Sequence, residues 1–173
     1  MAGERTRAER AARGVLFIHS SPRAVCPHVE WAAGRAIGMP VSFDWTEQPV
    51  LRGTMRAEFA WTGSVGDGAR IASGLRGWEQ LRFEVSEDPT PESDGARWMH
   101  TPGLGIFFAQ TDTSGNTVVP EDRIRYAMEV AGADPHELHR ELRLALGQAW
   151  DDELEPFRHA SDLAPVACLN QVG

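Results

Sequence analysis

The order of apolar patterns along this chain narrows its fold more than any single motif does. Val15, Leu16, Phe17 and Ile18 form a continuous apolar run, the pattern of a strand buried on both faces. Ser20, Ser21 and Pro22 close it. Pro27, following Cys26, predicts the first turn of a helix, with Val29, Ala33, Ala36 and Ile37 as its apolar stripe and Gly38 as its stop. Val41, Phe43 and Trp45 then alternate with Ser42, Asp44 and Thr46, and Met55, Phe59 and Trp61 alternate with Arg56, Glu58 and Thr62. Each pattern predicts a half-buried strand. Asp67 and Gly68 open a short helix carrying Ile71, Ala72 and Leu75, and Leu81, Phe83 and Val85 alternate with Arg82, Glu84 and Ser86 as one more strand. Strand, helix, strand, strand, helix, strand is the ferredoxin-like order.

The remainder predicts additions to that unit. Residues 87–96 are acidic and proline-containing and read as a loop. Two further strands are expected at 97–101 and 106–110, with a turn at 112–117. Pro120, Glu121 and Asp122 suit the first turn of a helix, where the dipole favours acids. Its stripe is Ile124, Ala127, Met128 and Ala131, and Gly132 ends it. Asp134, Pro135, His136 and Glu137 form a capping box for a second helix, which carries Leu138, Leu142, Ala145, Leu146 and Ala149 and runs until Pro156. The expected fold class is therefore α+β: a ferredoxin-like β-α-β-β-α-β order with extra strands and a C-terminal helical hairpin. Residues 1–13 are expected to be a disordered charged leader, 14–160 a single α+β domain, and 161–173 an irregular tail. The aromatic side of the sheet is expected to be the core beneath the helices. The other side, with Asp44, Arg56, Glu58, Arg82 and Glu84, is expected to hold cross-strand pairs in water.

Charge removes several functions. The formal net charge is −8 and the pI about 5.2; a phosphate backbone or an anionic lipid surface calls for concentrated cationic charge, so neither nucleic acid nor membrane is an expected partner. All 17 basic residues are arginine, which excludes a Walker-A lysine, a Schiff-base lysine, and pyridoxal-phosphate or aldolase-type chemistry. No apolar run approaches the ~20 residues of a membrane span, and 15–18 is too short for a signal-peptide core; the expected location is the cytoplasm, with Cys26 and Cys168 as free thiols. No cofactor is expected.

Three places carry residues with chemical potential. Cys26 falls at a helix N-terminus, where a thiolate is favoured, with His28 two residues on and His19 at the end of the preceding strand. Cys26 assisted by His28 or His19 is thus a candidate nucleophile, against the alternative of an inert buried cysteine. The same three residues, or His136 with His139, match no common zinc spacing, and no metal site is expected. The run Trp150, Asp151, Asp152, Glu153, Leu154, Glu155 places acids late in a helix, against its macrodipole. It reads either as a solvated acidic face or as a docking surface for an arginine-rich partner. Arg123 and Arg125, with Arg140 and Arg143, form a candidate cationic patch.

Several longer strings resemble a known family. They are residues 14–31 (GVLFIHSSPRAVCPHVEW), 97–102 (RWMHTP), 110–117 (QTDTSGNT), 120–128 (PEDRIRYAM) and 149–157 (AWDDELEPF). Together they resemble the actinobacterial family called domain of unknown function 3145, over about residues 13–160. The resemblance implies a stand-alone cytoplasmic protein, supplies no catalytic residues, and links the chain by association to fatty-acid metabolism.

The residues together favour a non-enzymatic binding or regulatory module with a protein partner or a small metabolite. The alternative is a small thiol-dependent enzyme using Cys26 with His28 or His19. A homo-oligomeric structural module is the third possibility, and the sequence leaves the oligomeric state open.

Overall fold

In the computed structural model, residues 11–159 are described. They form an α+β structure with one seven-stranded, wholly antiparallel sheet in the order β2-β3-β1-β4-β5-β6-β7. The strands are β1 (Ala11–Pro22), β2 (Thr46–Glu47), β3 (Thr54–Ser64), β4 (Arg82–Glu87), β5 (Gly95–Thr101), β6 (Gly105–Thr111) and β7 (Thr117–Val118). The helices are α1 (Cys26–Ile37), α2 (Asp67–Leu75), α3 (Glu121–Ala131), α4 (Pro135–Ala145) and α5 (Gln148–Arg158).

β1 lies between β3 and β4, as its unbroken apolar run requires. It starts earlier than expected: Ala11, Ala12 and Arg13 pair with Ser64, Gly63 and Thr62, so these residues belong to the sheet. The rest of the expected leader, and the expected tail with Cys168, lie outside the described residues. Leu16 and Ile18 point to the α1/α2 side, where Ala57, Trp61, Ile71, Leu75, Leu81, Phe83 and Val85 complete a buried core. Removing these apolar side chains from water favours folding.

The expected strand at 41–46 shrinks to Thr46–Glu47. The alternation itself persists, with Phe43 buried and Ser42 and Asp44 exposed. Glu30 of α1 intervenes: its Oε1 accepts from the Phe43 amide at 2.8 Å and from Trp45 Nε1 at 2.9 Å. A carboxylate satisfies the amide that a ladder would otherwise pair, and β2 joins β3 only at Thr46↔Arg56 and Glu47↔Met55.

The expected C-terminal hairpin becomes three helices. Asp134 caps α4 through the amides of His136 and Glu137; Glu137 closes no box but pairs with Arg140. Gly147, at φ +80°, separates α4 from α5, and Pro156 lies inside α5 rather than ending the run. In α3, Ala127 and Ala131 are buried while Ile124 and Met128 are exposed, so only the small half of the expected stripe faces inward.

Helices cover both sides of the sheet. α1 and α2 pack on the aromatic side; α5 lies across the charged side. The expectation that the charged side stands in water is thereby corrected for β4 and β5. Leu154 is fully buried there. Trp150 donates to the Gly105 carbonyl at 3.0 Å and packs on Phe107 with ring centroids 5.1 Å apart.

Candidate functional site

Alternation along β1, β3, β4 and β5 places Phe17, His19, Arg56, Glu58, Arg82, Glu84, Arg97 and Met99 on the α5 side of the sheet. The acids of α5 meet these arginines. Asp151 accepts from Arg97 and from Arg158, each at 2.7 Å. Glu153 accepts from Thr101 Oγ1 at 2.8 Å and pairs with Arg82 at 3.4 Å. Phe157 lies 4.7 Å beneath the Arg82 guanidinium. The acidic run is thus a dock for arginines of its own sheet, and Asp151 and Glu153 are engaged within the molecule. Asp152 is exposed and pairs with Arg143; Glu155 is exposed and pairs with Arg158 and His159.

Glu84 is the hub. Its Oε1 accepts from His19 Nε2 at 2.8 Å and from Arg158 Nε at 2.7 Å, and its Oε2 accepts from Arg97 at 2.9 Å. Burial opposes ionisation of Glu84, but the hydrogen bonds and charges of His19 and Arg158 outweigh it and hold the carboxyl well below the usual range. Burial likewise disfavours charge on Arg158, and Glu84 and Asp151 reverse the balance and raise its pKa. An ionised carboxylate only accepts, so His19 carries its hydrogen on Nε2 in this pair. Nδ1 is then the imidazole's other bonding atom, with no partner among the described residues.

Two hollows flank this hub. One, of about 570 Å³, runs toward the Asp112–Gly115 turn. Its charges are answered within the molecule: Arg13 by Asp88, Arg97 by Glu84 and Asp151, and Asp112 by Asn116. The other, of about 560 Å³, opens beside the end of α5 between Phe17, His19, Glu84, Phe157 and Arg158 on one wall and Asp44, Thr46, Arg56 and Glu58 on the other. Such volumes suit small ligands. The first wall is locked by the Glu84 network. On the second, the side chains of Asp44, Thr46, Arg56 and Glu58 make no hydrogen bond or ion pair among the described residues. The β-alternation of the sequence puts these residues on one side of the sheet; that the end of α5 would border a groove beside them was not visible in it.

The Cys26 constellation is not assembled. Cys26 is buried, with Sγ 3.8 Å from Ser21 Oγ and 3.6 Å from the Pro22 carbonyl. Burial, partly offset by the Ser21 hydrogen bond, pushes its thiol pKa up, the opposite of an activated nucleophile. His28 is exposed and stacks on Trp78 at 5.1 Å, and His19 is held by Glu84. A proline-led helix start turns Cys26 inward and His28 outward. No group of three or more potential metal ligands occurs among the described residues. No helix among them is long and apolar enough to cross a membrane. In the cationic patch, Arg125 pairs with Glu121, Arg140 with Glu137 and Glu141, and Arg143 with Asp152, while Arg123 lies over Tyr126; the acids beside three of these arginines cancel much of its field.

A family model described as protein of unknown function (DUF3145) matches residues 15–171. No curated protein and no solved structure matches the chain.

Proposed function

The chain belongs to the DUF3145 family, and on that premise we propose that it is a non-enzymatic binding protein of the cytoplasm that takes a small metabolite into the groove beside the end of α5. One observation carries this reading: beside Glu84 and Arg158, whose charges are paired, the groove is lined by Asp44, Thr46, Arg56 and Glu58, whose side chains have no partner among the described residues. Groups left without partners are what a ligand can use without first breaking internal bonds. The groove's lining includes no cysteine, serine or lysine, and its one hydroxyl, on Thr46, has no base hydrogen-bonded to it among the described residues, which favours binding over covalent chemistry. The order β4-β1-β3-β2 within the sheet supports reading residues 11–87 as a ferredoxin-like unit, with β5–β7 and the three last helices as additions. A ligand in the groove touches both that unit and α5, which suits a regulatory role.

Native mass spectrometry of the protein, purified gently from its own cytoplasm, tests the reading. The expected result is a stoichiometric small mass that is lost in the Arg56→Glu, Glu58→Arg double variant. A fatty acyl mass would connect the groove to the fatty-acid metabolism that the family association implies. A bare chain, or a mass that survives the charge reversal, would overturn the assignment.

A further inference from the structure

Resting on that reading, we propose that the ligand is an α-amino carboxylic acid with an apolar side chain, its carboxylate on Arg56, its ammonium on Glu58 and Asp44, and its side chain against Phe17 and Phe157.

The charges select this class. A simple anion entering the groove would find Arg56 but also two uncompensated carboxylates, Asp44 and Glu58. A simple cation would find those carboxylates beside an uncompensated guanidinium. Arg158 and Glu84 are spent on one another and on Asp151, Arg97 and His19, so they do not change this sum. A molecule with one charge of each sign gives Arg56 a carboxylate and gives Asp44 and Glu58 an ammonium to share.

The spacing agrees. Arg56 and Glu58 are two residues apart on β3 and share its α5 side, which separates their backbones by about 6.5–7 Å. They form no ion pair with each other. Side chains from two such neighbouring positions on one side of a strand can converge on the amino and carboxyl groups of one α-carbon, each through a hydrogen bond of about 2.9 Å. Thr46 is opposite Arg56 and Phe17 opposite Glu58, and Asp44, two residues before Thr46, lines the same groove as Glu58. Asp44 and Glu58 are like charges lining one groove, and an ammonium between them relieves their repulsion. The guanidinium fork suits a carboxylate bidentately. Phe17 and Phe157 leave an apolar surface for the remaining side chain.

The test is calorimetric titration of the full chain with three probes: L-phenylalanine, 3-phenylpropanoate, which lacks the ammonium, and 2-phenylethylamine, which lacks the carboxylate. L-phenylalanine is expected to bind at least tenfold more tightly than either single-charge probe. Arg56→Met should weaken L-phenylalanine at least tenfold without weakening 2-phenylethylamine, and Glu58→Gln should weaken L-phenylalanine without weakening 3-phenylpropanoate. Neither side chain has a partner among the described residues, so thermal unfolding midpoints should match the parent protein and separate lost binding from lost folding. A single-charge probe that binds as tightly as L-phenylalanine, or no binding by any of the three, overturns the amino-acid assignment. The binding reading itself then stands or falls on the co-purified mass: a mass that the charge reversal removes keeps the groove and changes only the ligand class.

Discussion

Arg158, in the last turn of α5, reaches the centre of the sheet and donates from Nε to Glu84 Oε1 at 2.7 Å, fastening the C-terminal helix to a strand 74 residues earlier. Glu84 has three cationic or hydrogen-bonding neighbours and Arg158 has other acids beside it, so the two ends of this bond are not equivalent. Glu84→Gln leaves Arg97, Arg158 and His19 around a neutral group in a mostly buried place and should cost about 3–5 kcal/mol. Arg158→Met leaves Glu84 with His19 and Arg97 and should cost less, about 1–3 kcal/mol. Urea unfolding of both variants checks the order; an Arg158→Met loss as large as that of Glu84→Gln would show that Glu84 is not the hub.

The same carboxylate sets an acid limit. In the unfolded chain Glu84 takes up a proton near the ordinary value of ~4.3; in the folded protein its pKa is depressed, and it stays ionised far below that. Below about pH 5 the unfolded state therefore binds more protons, and stability falls as pH falls. The stabilisation is fully present at neutral pH and is lost progressively on acidification toward the depressed value. Glu137, Glu155 and Asp112 are also lowered, but they are solvent-exposed and remain in the variant. Urea midpoints measured at pH 7, 4 and 3 should fall more steeply for the parent protein than for Glu84→Gln. Parallel slopes would remove Glu84 as the acid-sensitive group.

The parts of the fold that were legible in the sequence are those set by local periodicity. Alternation at Leu81–Ser86 and at Met55–Thr62 specifies a strand and its inward side, and Asp134 before Pro135 specifies a capped helix start. What was not legible depends on partners distant in sequence. Nothing near Phe43 signals that Glu30 will take its amide and dissolve most of a strand. The acids of α5 look misplaced against a helix dipole until Arg82 and Arg97 are seen beneath them. The groove has the same character: Arg56 and Glu58 were assigned to the polar side of β3, but a cavity exists only because Phe157 and Arg158 close it from a helix about 100 residues later. Cys26 failed in the opposite direction, since adjacency in sequence to His28 did not become adjacency in space.

Cys26 should behave as a buried, inert thiol. With Cys168→Ser as background, iodoacetamide should modify the native protein far more slowly than the urea-unfolded chain. The native rate should keep rising with pH beyond the ordinary thiol value of ~8.5, because burial raises the pKa of Cys26. Rapid alkylation with an apparent pKa below 7 would restore the thiol-enzyme alternative.

Gly147 separates α4 from α5 and thereby aims α5 at the sheet. Its φ of +80° is in the left-handed region, and an added Cβ would lie 2.7 Å from Phe107 Cε1 and 2.8 Å from Met99 Cε. Left-handed backbone costs an L-residue about 1–2 kcal/mol, and forcing Phe107 and Met99 aside adds about 1–3 kcal/mol. Gly147→Ala should therefore destabilise by about 2–5 kcal/mol. Gly38, at the end of α1, has nearly the same φ of +79° but nothing within 4 Å of the Cβ position, so Gly38→Ala should show the backbone part alone. Denaturant unfolding of the pair isolates the packing contribution. Equal losses would mean that Phe107 and Met99 give way freely, and that α5 is positioned by its ion pairs rather than by the close approach at Gly147.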